Sequence, residues 1–421
     1  MDFNIRDFGA VGDGKTLNTT AIQAAIDACF AVGGGRVVVA DGVYMTGTIV
    51  LRSAVELHLA ANGTLLASPN CGKYDESSEF DVRPYPYNVI LTGKIADYGD
   101  YPELPKEHVC CDALPRNRGC CLIYAERAEN IAITGRGKID GNGTCFVEKA
   151  PEDAHHYKKF RRIHAPTPPR IVFFAGCKNV KVDGITVTNG PAGWSFWIHD
   201  CDFVCFDKVK IFCDLDYPNN DGIHINCSRD VTVSNCNIIC SDDCVVVRAN
   251  SRSLKENKVC ERVTVTNCTM TTECAGIRIA FVGDGVVRNC VFSNIVMTDS
   301  TAGVLIELPD KSLIQSDFGR EKTLIENLRF SNIVMDRMKK PIVFKSFDGP
   351  QTEIEAIRNI YFDGITASGK IAIQISGTSS VPVENIFFSN CRFTYLPEFD
   401  PIKLSKTKNV LFDSVSFTAA K

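Results

Sequence analysis

The 421 residues predict an all-β fold, a single-stranded right-handed parallel β-helix with an N-terminal capping helix. Three observations predict it. A short pattern (a polar residue, apolar–x–apolar, a polar pair, then another apolar residue) recurs from ENIAITGRGKI at 129–139 to KNVLFDSVSF at 408–417. Each copy alternates with period two and is rich in Val, Ile, Phe and Thr, which is a strand signature. The clear helical period comes before the first copy. A solenoid grows by adding turns, so residues 1–421 read as one β-helix domain, where length alone would suggest two or three domains.

The elements follow in order. Apolar residues recur at helical spacing within LNTTAIQAAIDACFAVGGG, which predicts a helix over 17–32, capped by Asn18 or Thr19 and ended by the glycines at 33–35. A helix placed first covers the open end of a solenoid core. Residues 36–68 read as the opening coils. Two stretches then break the pattern. Residues 68–121 carry Tyr74, Phe80, Tyr85, Tyr87, Tyr98 and Tyr101, and residues 147–169 carry His155, His156, Tyr157, Arg161, Arg162 and His164. Long inserts in a solenoid usually emerge on one face and shape a cleft. The aromatic insert suits sugar stacking or a subunit contact, and the basic one a cleft wall or a solvated loop. The Asn that recurs beside the strands suits left-handed turns, where stacked side-chain amides bond one another, and carries no chemistry.

Composition excludes several partners. Net charge is −4 and pI about 6.0, without the basic excess that nucleic acid demands, so no nucleic-acid partner is expected. No apolar run approaches the roughly 18 residues of a bilayer span, so no membrane partner is expected. The start MDFNIRDFGAVGDG lacks the features of a secretory leader, which predicts a cytoplasmic protein, or a secreted one whose signal has been removed. The twenty cysteines contain no CxxC pair and read as reduced, buried thiols. Neither a metal nor a cofactor is expected. A homo-oligomer is among the allowed states.

Chemistry concentrates in three aspartates. Asp221 lies in PNNDGIH, and Asp242 and Asp243 lie in SDDCVVVR, 21 and 22 residues later. If one repeat is one coil, the three carboxylates stack on neighbouring coils. Such repulsion asks for a functional explanation. A turn or a calcium site is the plain alternative for the Asp-Asp pair.

The residues resemble a known family at this point. FNIRDFGAVGDGKTLNTTAIQAAIDAC and GGGRVVVADGVYMTGTIVL are similar to the cap and first coils of pectin-degrading β-helix proteins. RGKIDGNG at 136–143 and NGPAGWSFWIH at 189–199 resemble segments of family 28 glycoside hydrolases, the polygalacturonase family. Residues 219–221 match that family's Asn-Thr-Asp motif, and 241–243 match its Gly-Asp-Asp motif. The resemblance runs from about residue 3 to about 310. It implies hydrolysis of an α-linked sugar with inversion: Asp242 as general acid, Asp221 and Asp243 holding and deprotonating water, and Asn219 beside them. Inversion requires one protonated carboxyl and one base across a gap that admits water.

The departures narrow the expectation. In ECAGIRIAF (273–281) Ala275 stands where the family has histidine, and in GVLIEL (303–308) Leu305 and Glu307 replace the family's Arg and Lys, which grip a uronate. Aligning the I-x-I cores places His224, Val246, Arg278 and Leu305 in one outward column beside the aspartates. His224 and Arg278 are then candidates to read an anionic group, unless Arg278 pairs with Glu307 or an aspartate. Arg248 matches a family Lys and neutralises the cluster or touches substrate. Trp194, Trp197 and His199 fall in a mainly structural segment. The expected function is an inverting hydrolase of a pectin-type or related plant oligosaccharide, exo-acting if the inserts wall off one end, and not a standard polygalacturonase. The alternatives are a β-helix lyase, epimerase or intramolecular transglycosylase, and a non-catalytic carbohydrate-binding solenoid.

Overall fold

A computed structural model describes residues 1–69, 121–150, 158–162, 170–251, 254, 256–281, 283–308, 322–347 and 353–421. The chain divides into two compact units, Met1–Ile223 and His224–Lys421. Each is a stack of coils of a right-handed parallel β-helix with three strands per coil.

In the first unit the period-two pattern becomes three inward columns. Val37, Leu57, Ile133, Val182 and Phe206 are register partners on successive parallel strands. Tyr44, Leu65, Ile139, Val187 and Ile211 form a second column. Ile49, Ile123, Val172 and Phe196 form the third, and all of these side chains are fully buried. Alternate residues point inward along each strand, so identical registers place like on like.

The helix spans Thr19–Ala31 and buries Ile22, Ala25, Ile26 and Cys29, an i, i+3, i+4, i+7 stripe. It covers the first coil and also blunts a sheet edge. Gln23 accepts from the Val50 N–H at 2.8 Å and donates to the Val50 carbonyl at 3.1 Å, standing in for a missing neighbour strand. The chain leaves the helix through Gly33 and Gly34 in left-handed conformations, as expected. The N-cap position falls at Asn18, as expected, but its side chain is engaged elsewhere. Asn18 precedes the helix but makes no capping bond; its side chain accepts from the Val11 N–H at 2.7 Å and donates to the Thr16 carbonyl at 2.6 Å. Tying down the preceding loop takes both ends of its amide.

The second unit repeats the plan with larger side chains. Val233, Val265, Phe292, Phe330, Phe362, Phe388 and Phe412 are successive register partners. Their rings stack at centroid spacings of 4.8, 4.9, 4.8 and 5.1 Å. The coil spacing of parallel strands suits parallel stacking of aromatic rings. Asparagines mark the corners: Asn289, Asn327, Asn359, Asn385 and Asn409 are all left-handed, and Asn385 and Asn409 each donate to the Asn one coil earlier, at 3.2 and 2.8 Å. The amide ladder read from the sequence is present.

The insert expected at 68–121 lies almost wholly outside the described residues, as do His155, His156, Tyr157 and His164. The described part of the second insert is a two-stranded antiparallel ribbon, Val147–Lys149 with Phe160–Arg162. Every described cysteine is a free thiol.

Replacing Phe330 by Ala, between two stacked rings in a closed core, should lower stability by about 3–5 kcal/mol. Phe203 is exposed and left-handed, so Phe203→Asn should leave the urea midpoint unchanged or raise it. A small loss at Phe330 would contradict the packing described.

Candidate active site

In the first unit, one loop carries Asn219, Asn220 and Asp221, all buried, with Asp221 2 % exposed. The loop lies along the strand Trp194–His199, which holds it residue by residue. Trp194 Nε1 donates to Asn219 Oδ1 at 3.2 Å, and the Gly193 N–H donates to Asn220 Oδ1 at 3.0 Å. The Ser195 N–H donates to the Asp221 carbonyl at 2.9 Å. Asn219 itself is left-handed, with φ 57°, a conformation that Asn tolerates better than most residues. Trp194 is in turn packed under the Arg170 guanidinium, 3.4 Å from the ring centroid, and Trp197 stacks on Phe173 at 4.3 Å. The two tryptophans therefore act as supports for the aspartate loop. His199 is buried beside Trp197.

The inserted ribbon braces the same loop. Phe160 meets Tyr217 edge-on at 5.1 Å, Lys158 donates to the Leu215 carbonyl at 3.0 Å, and Lys159 pairs with Asp216 at 2.8 Å. An insert that the sequence showed only as a break in the repeat is fastened to the segment leading into Asn219–Asp221.

In the second unit, Asp242 and Asp243 occupy the turn between the strands Asn237–Cys240 and Val245–Arg248. They are 7 % and 3 % exposed. Buried carboxylates require donors, and the following coil supplies them. The Ala275 N–H donates to Asp243 Oδ1 at 3.2 Å, and Arg278 Nη1 donates to Asp243 Oδ2 at 3.0 Å. The Asp243 N–H donates to Asp242 Oδ1 at 3.1 Å. The Thr272 hydroxyl donates to the Asp242 carbonyl and accepts from the Cys274 N–H at 3.0 Å, clamping one turn to the next. Beneath the turn lie the buried thiols of Cys240 and Cys244, 3.5 Å apart; burial pushes Cys240 well above the usual thiol pKa, as suits an inert space-filler.

The charges alternate outward from Asp243. Arg278 Nη2 reaches Glu307 Oε2 at 3.5 Å, and Lys345 Nζ reaches Glu307 Oε1 at 3.1 Å. Register explains the contacts: Val246, Arg278, Leu305 and Val343 are successive partners, and Glu307 lies beside Lys345. Three of the four predicted column members therefore align, and His224, on the strand Ile223–Asn226, is buried. Leu305 joins Ala275, Ala302 and Val343 in an apolar cluster. Arg248 makes a buried two-pronged pair with Asp284, Nε to Oδ2 at 3.1 Å and Nη2 to Oδ1 at 2.9 Å. Asp284 also accepts from the Ala249 and Phe281 N–H groups at 3.2 Å each. Arg248 is thus tied to an aspartate that the sequence reading did not single out.

Lys345, Thr272 and Cys274 were missed as well. Lys345 is separated from Glu307 by 38 positions, so no local pattern marks it. Cys274 adjoins Ala275, the position already singled out. Carboxylate oxygens of Asp242 and Asp243 and the Cys274 Sγ lie within 4.8 Å of one another, the grouping among the described residues that most resembles a metal site. A guanidinium 3.0 Å from Asp243 Oδ2 opposes a cation there electrostatically.

The parallel β-helix thus carries a clamped, buried aspartate pair. Residues 116–411 match the family model of glycosyl hydrolases family 28, and residues 3–86 match that of rhamnogalacturonase A/epimerase, pectate lyase-like. An exopolygalacturonase of Zea mays is 23% identical over 79% of this chain and 76% of its own length. An exopolygalacturonase clone of Arabidopsis thaliana is 23% identical over 94% and 79%. The structure of a hyperthermoactive exopolygalacturonase from Thermotoga maritima superposes with a TM-score of 0.70 at 21% identity, covering 99% of this chain and 92% of the other. The chain belongs to glycoside hydrolase family 28 and is a glycoside hydrolase.

The Asp284–Arg248 pair generates a stability prediction. Asp284→Asn would leave a buried guanidinium poorly compensated and should lower stability by about 3–5 kcal/mol. Adding Arg248→Met to that variant should recover part of the loss. Urea titration of the single and double variants measures this, and a loss below about 1 kcal/mol in the single variant would be inconsistent with a buried pair.

Proposed function

We propose that this enzyme hydrolyses an α-linked glycosidic bond in a pectin-type or related plant oligosaccharide, with inversion and from a chain end. Asp242 protonates the leaving glycosidic oxygen. Asp221 and Asp243 hold the attacking water and accept its proton. The observation that carries the reading is the Asp242–Asp243 turn, in which Asp243 accepts a donor on each oxygen while Asp242 stands beside it. An acceptor carboxylate next to a second carboxyl suits a division into base and acid. The names of the relatives, exopolygalacturonases, support pectic substrates and chain-end action. Asn219, His224, Arg248, Arg278 and Glu307 are the proposed substrate-binding set, Arg248 acting there through its fixed pair with Asp284.

The substrate is not a long polygalacturonate. With Asp242 protonated as the acid, the charges around Asp243 balance: two cations, Arg278 and Lys345, against two carboxylates, Asp243 and Glu307. A patch in balance attracts a polyanion weakly, and Leu305 contributes apolar surface where a cation would grip a uronate. Short oligosaccharides of low charge fit this better.

Asp242→Asn should reduce kcat by at least about 10³-fold and leave substrate binding within a few-fold, because only proton donation in the transition state is removed. Full activity in that variant would end the assignment. NMR of the first product formed from a panel of pectic oligosaccharides should show the β anomer. An unsaturated, epimerised or anhydro product would instead point to a lyase, epimerase or transglycosylase, and binding without turnover to a carbohydrate-binding solenoid.

A further inference from the structure

Lys345 has no role in the reading above, yet it closes the line of charge that begins at Asp243. We propose that Lys345 is a positioning residue: by engaging Glu307 it keeps that carboxylate from drawing Arg278 away, and so leaves the guanidinium to Asp243. Arg278 and Glu307 then serve the site through Asp243. The catalytic consequence rests on the assignment of Asp243 as a water-holding base.

Geometry carries the inference, because two carboxylates share one guanidinium. Arg278 Nη1 donates to Asp243 Oδ2 at 3.0 Å, whereas Nη2 stands 3.5 Å from Glu307 Oε2. The second contact is at the outer limit of a hydrogen bond, so Asp243 has the firmer hold. Burial favours that outcome, the Asp243 side chain being 4 % exposed and that of Glu307 30 %. Lys345 favours it further. Its Nζ lies 3.1 Å from Oε1, the other oxygen of Glu307, and offsets the charge that would pull Arg278 outward. Strand register fixes the participants: Lys345 is the partner of Glu307 on the following coil, and Leu305, the partner of Arg278, has a side chain with no acceptor. The Phe281 ring supports the guanidinium, whose Cζ is 4.9 Å from the ring centroid.

The titratable and charged groups around Asp243 are Asp242 on its own turn, Cys274 and Arg278 on the next coil, and then Glu307 and Lys345. A neighbouring cation favours an ionised carboxylate. Without Lys345, Glu307 should draw Arg278 from Asp243 and disfavour the ionised base. Lys345→Met should therefore move the acid limb of the kcat/KM profile upward by about 0.3–0.6 pH unit, a small shift because the Lys345–Glu307 pair is partly exposed. It should also lower kcat about 2- to 5-fold with KM nearly unchanged, on whichever pectic oligosaccharide of the panel is turned over fastest. Lys345→Arg, which keeps the charge, should return the limb to its place. The decisive comparison is made in a Glu307→Gln background, where no acid competes for Arg278, so adding Lys345→Met should not move the limb further. Equal movement in both backgrounds, or a rise in KM with the limb in place, would overturn the proposal. Thermal melting checks the fold, and Lys345→Gln is the second uncharged variant. A crystal structure of Lys345→Met tests the geometry apart from any rate: Arg278 should have moved from Asp243 onto Glu307, and an unmoved guanidinium would overturn the proposal. Asp243→Asn separates the two readings. If it is inactive while Lys345→Met is normal, the base stands and the role of Lys345 falls. If Asp243→Asn is fully active, the base assignment itself falls.

Discussion

In-register stacking of parallel coils is the constraint on which the rest of this structure depends. Within each unit the backbone repeats every coil, so a side chain is surrounded by its equivalents above and below. Inward positions become columns of like residues, of which the Phe292–Phe412 series is the clearest. Corners become ladders of left-handed Asn that bond one another's amides. One slipped residue would turn every inward side chain out, so register is defended along the whole stack. The ends are the weak points of such a design. At the first coil a helix and the paired hydrogen bonds of Gln23 with the Val50 backbone answer that weakness.

The same stacking assembles chemistry from distant positions. Asp243 and Arg278 are 35 residues apart, and Glu307 and Lys345 are 38 apart, yet each pair meets across one coil spacing. Alternating sign along Asp243, Arg278, Glu307 and Lys345 lets a carboxylate remain at a nearly buried turn without isolated charge. Backbone donors add to this, because the Ala275 N–H faces the aspartate of the preceding coil. The Arg248–Asp284 pair repeats the solution with Asp284 fully buried and Arg248 nearly so. The turn itself is held rigidly, and the Thr272 hydroxyl, shared between two turns, provides one of its joints.

Much of the fold was legible in the residues. Period-two alternation, the Asn at the corners and the early helical stripe each follow from local geometry, and each appears in the structure. Asn18 stands at the N-cap position as read, but its side-chain bonds reach back to Val11 and Thr16, which local propensity does not show. The pairing of Arg278 was left between substrate and carboxylate; the structure gives it Asp243 and Glu307. Asp284 was invisible because its partner lies 36 positions away. Trp194 offered a hint, since it sits in a recognisable segment, but its bond to Asn219 required the loop to fold back along the strand.

The sequence by itself determined the architecture, the family and the motif that bears the aspartates, because repeats and short motifs depend on neighbours along the chain. It also showed what had changed, with Ala275, Leu305 and Glu307 at positions where other residues were expected. Only the tertiary structure decided which groups the buried carboxylate meets. Inserts of unequal length separate the coils, and contact across a coil depends on strand register instead of distance in sequence. That register brings Arg278, Cys274 and the Ala275 N–H to Asp243, and Lys345 to Glu307.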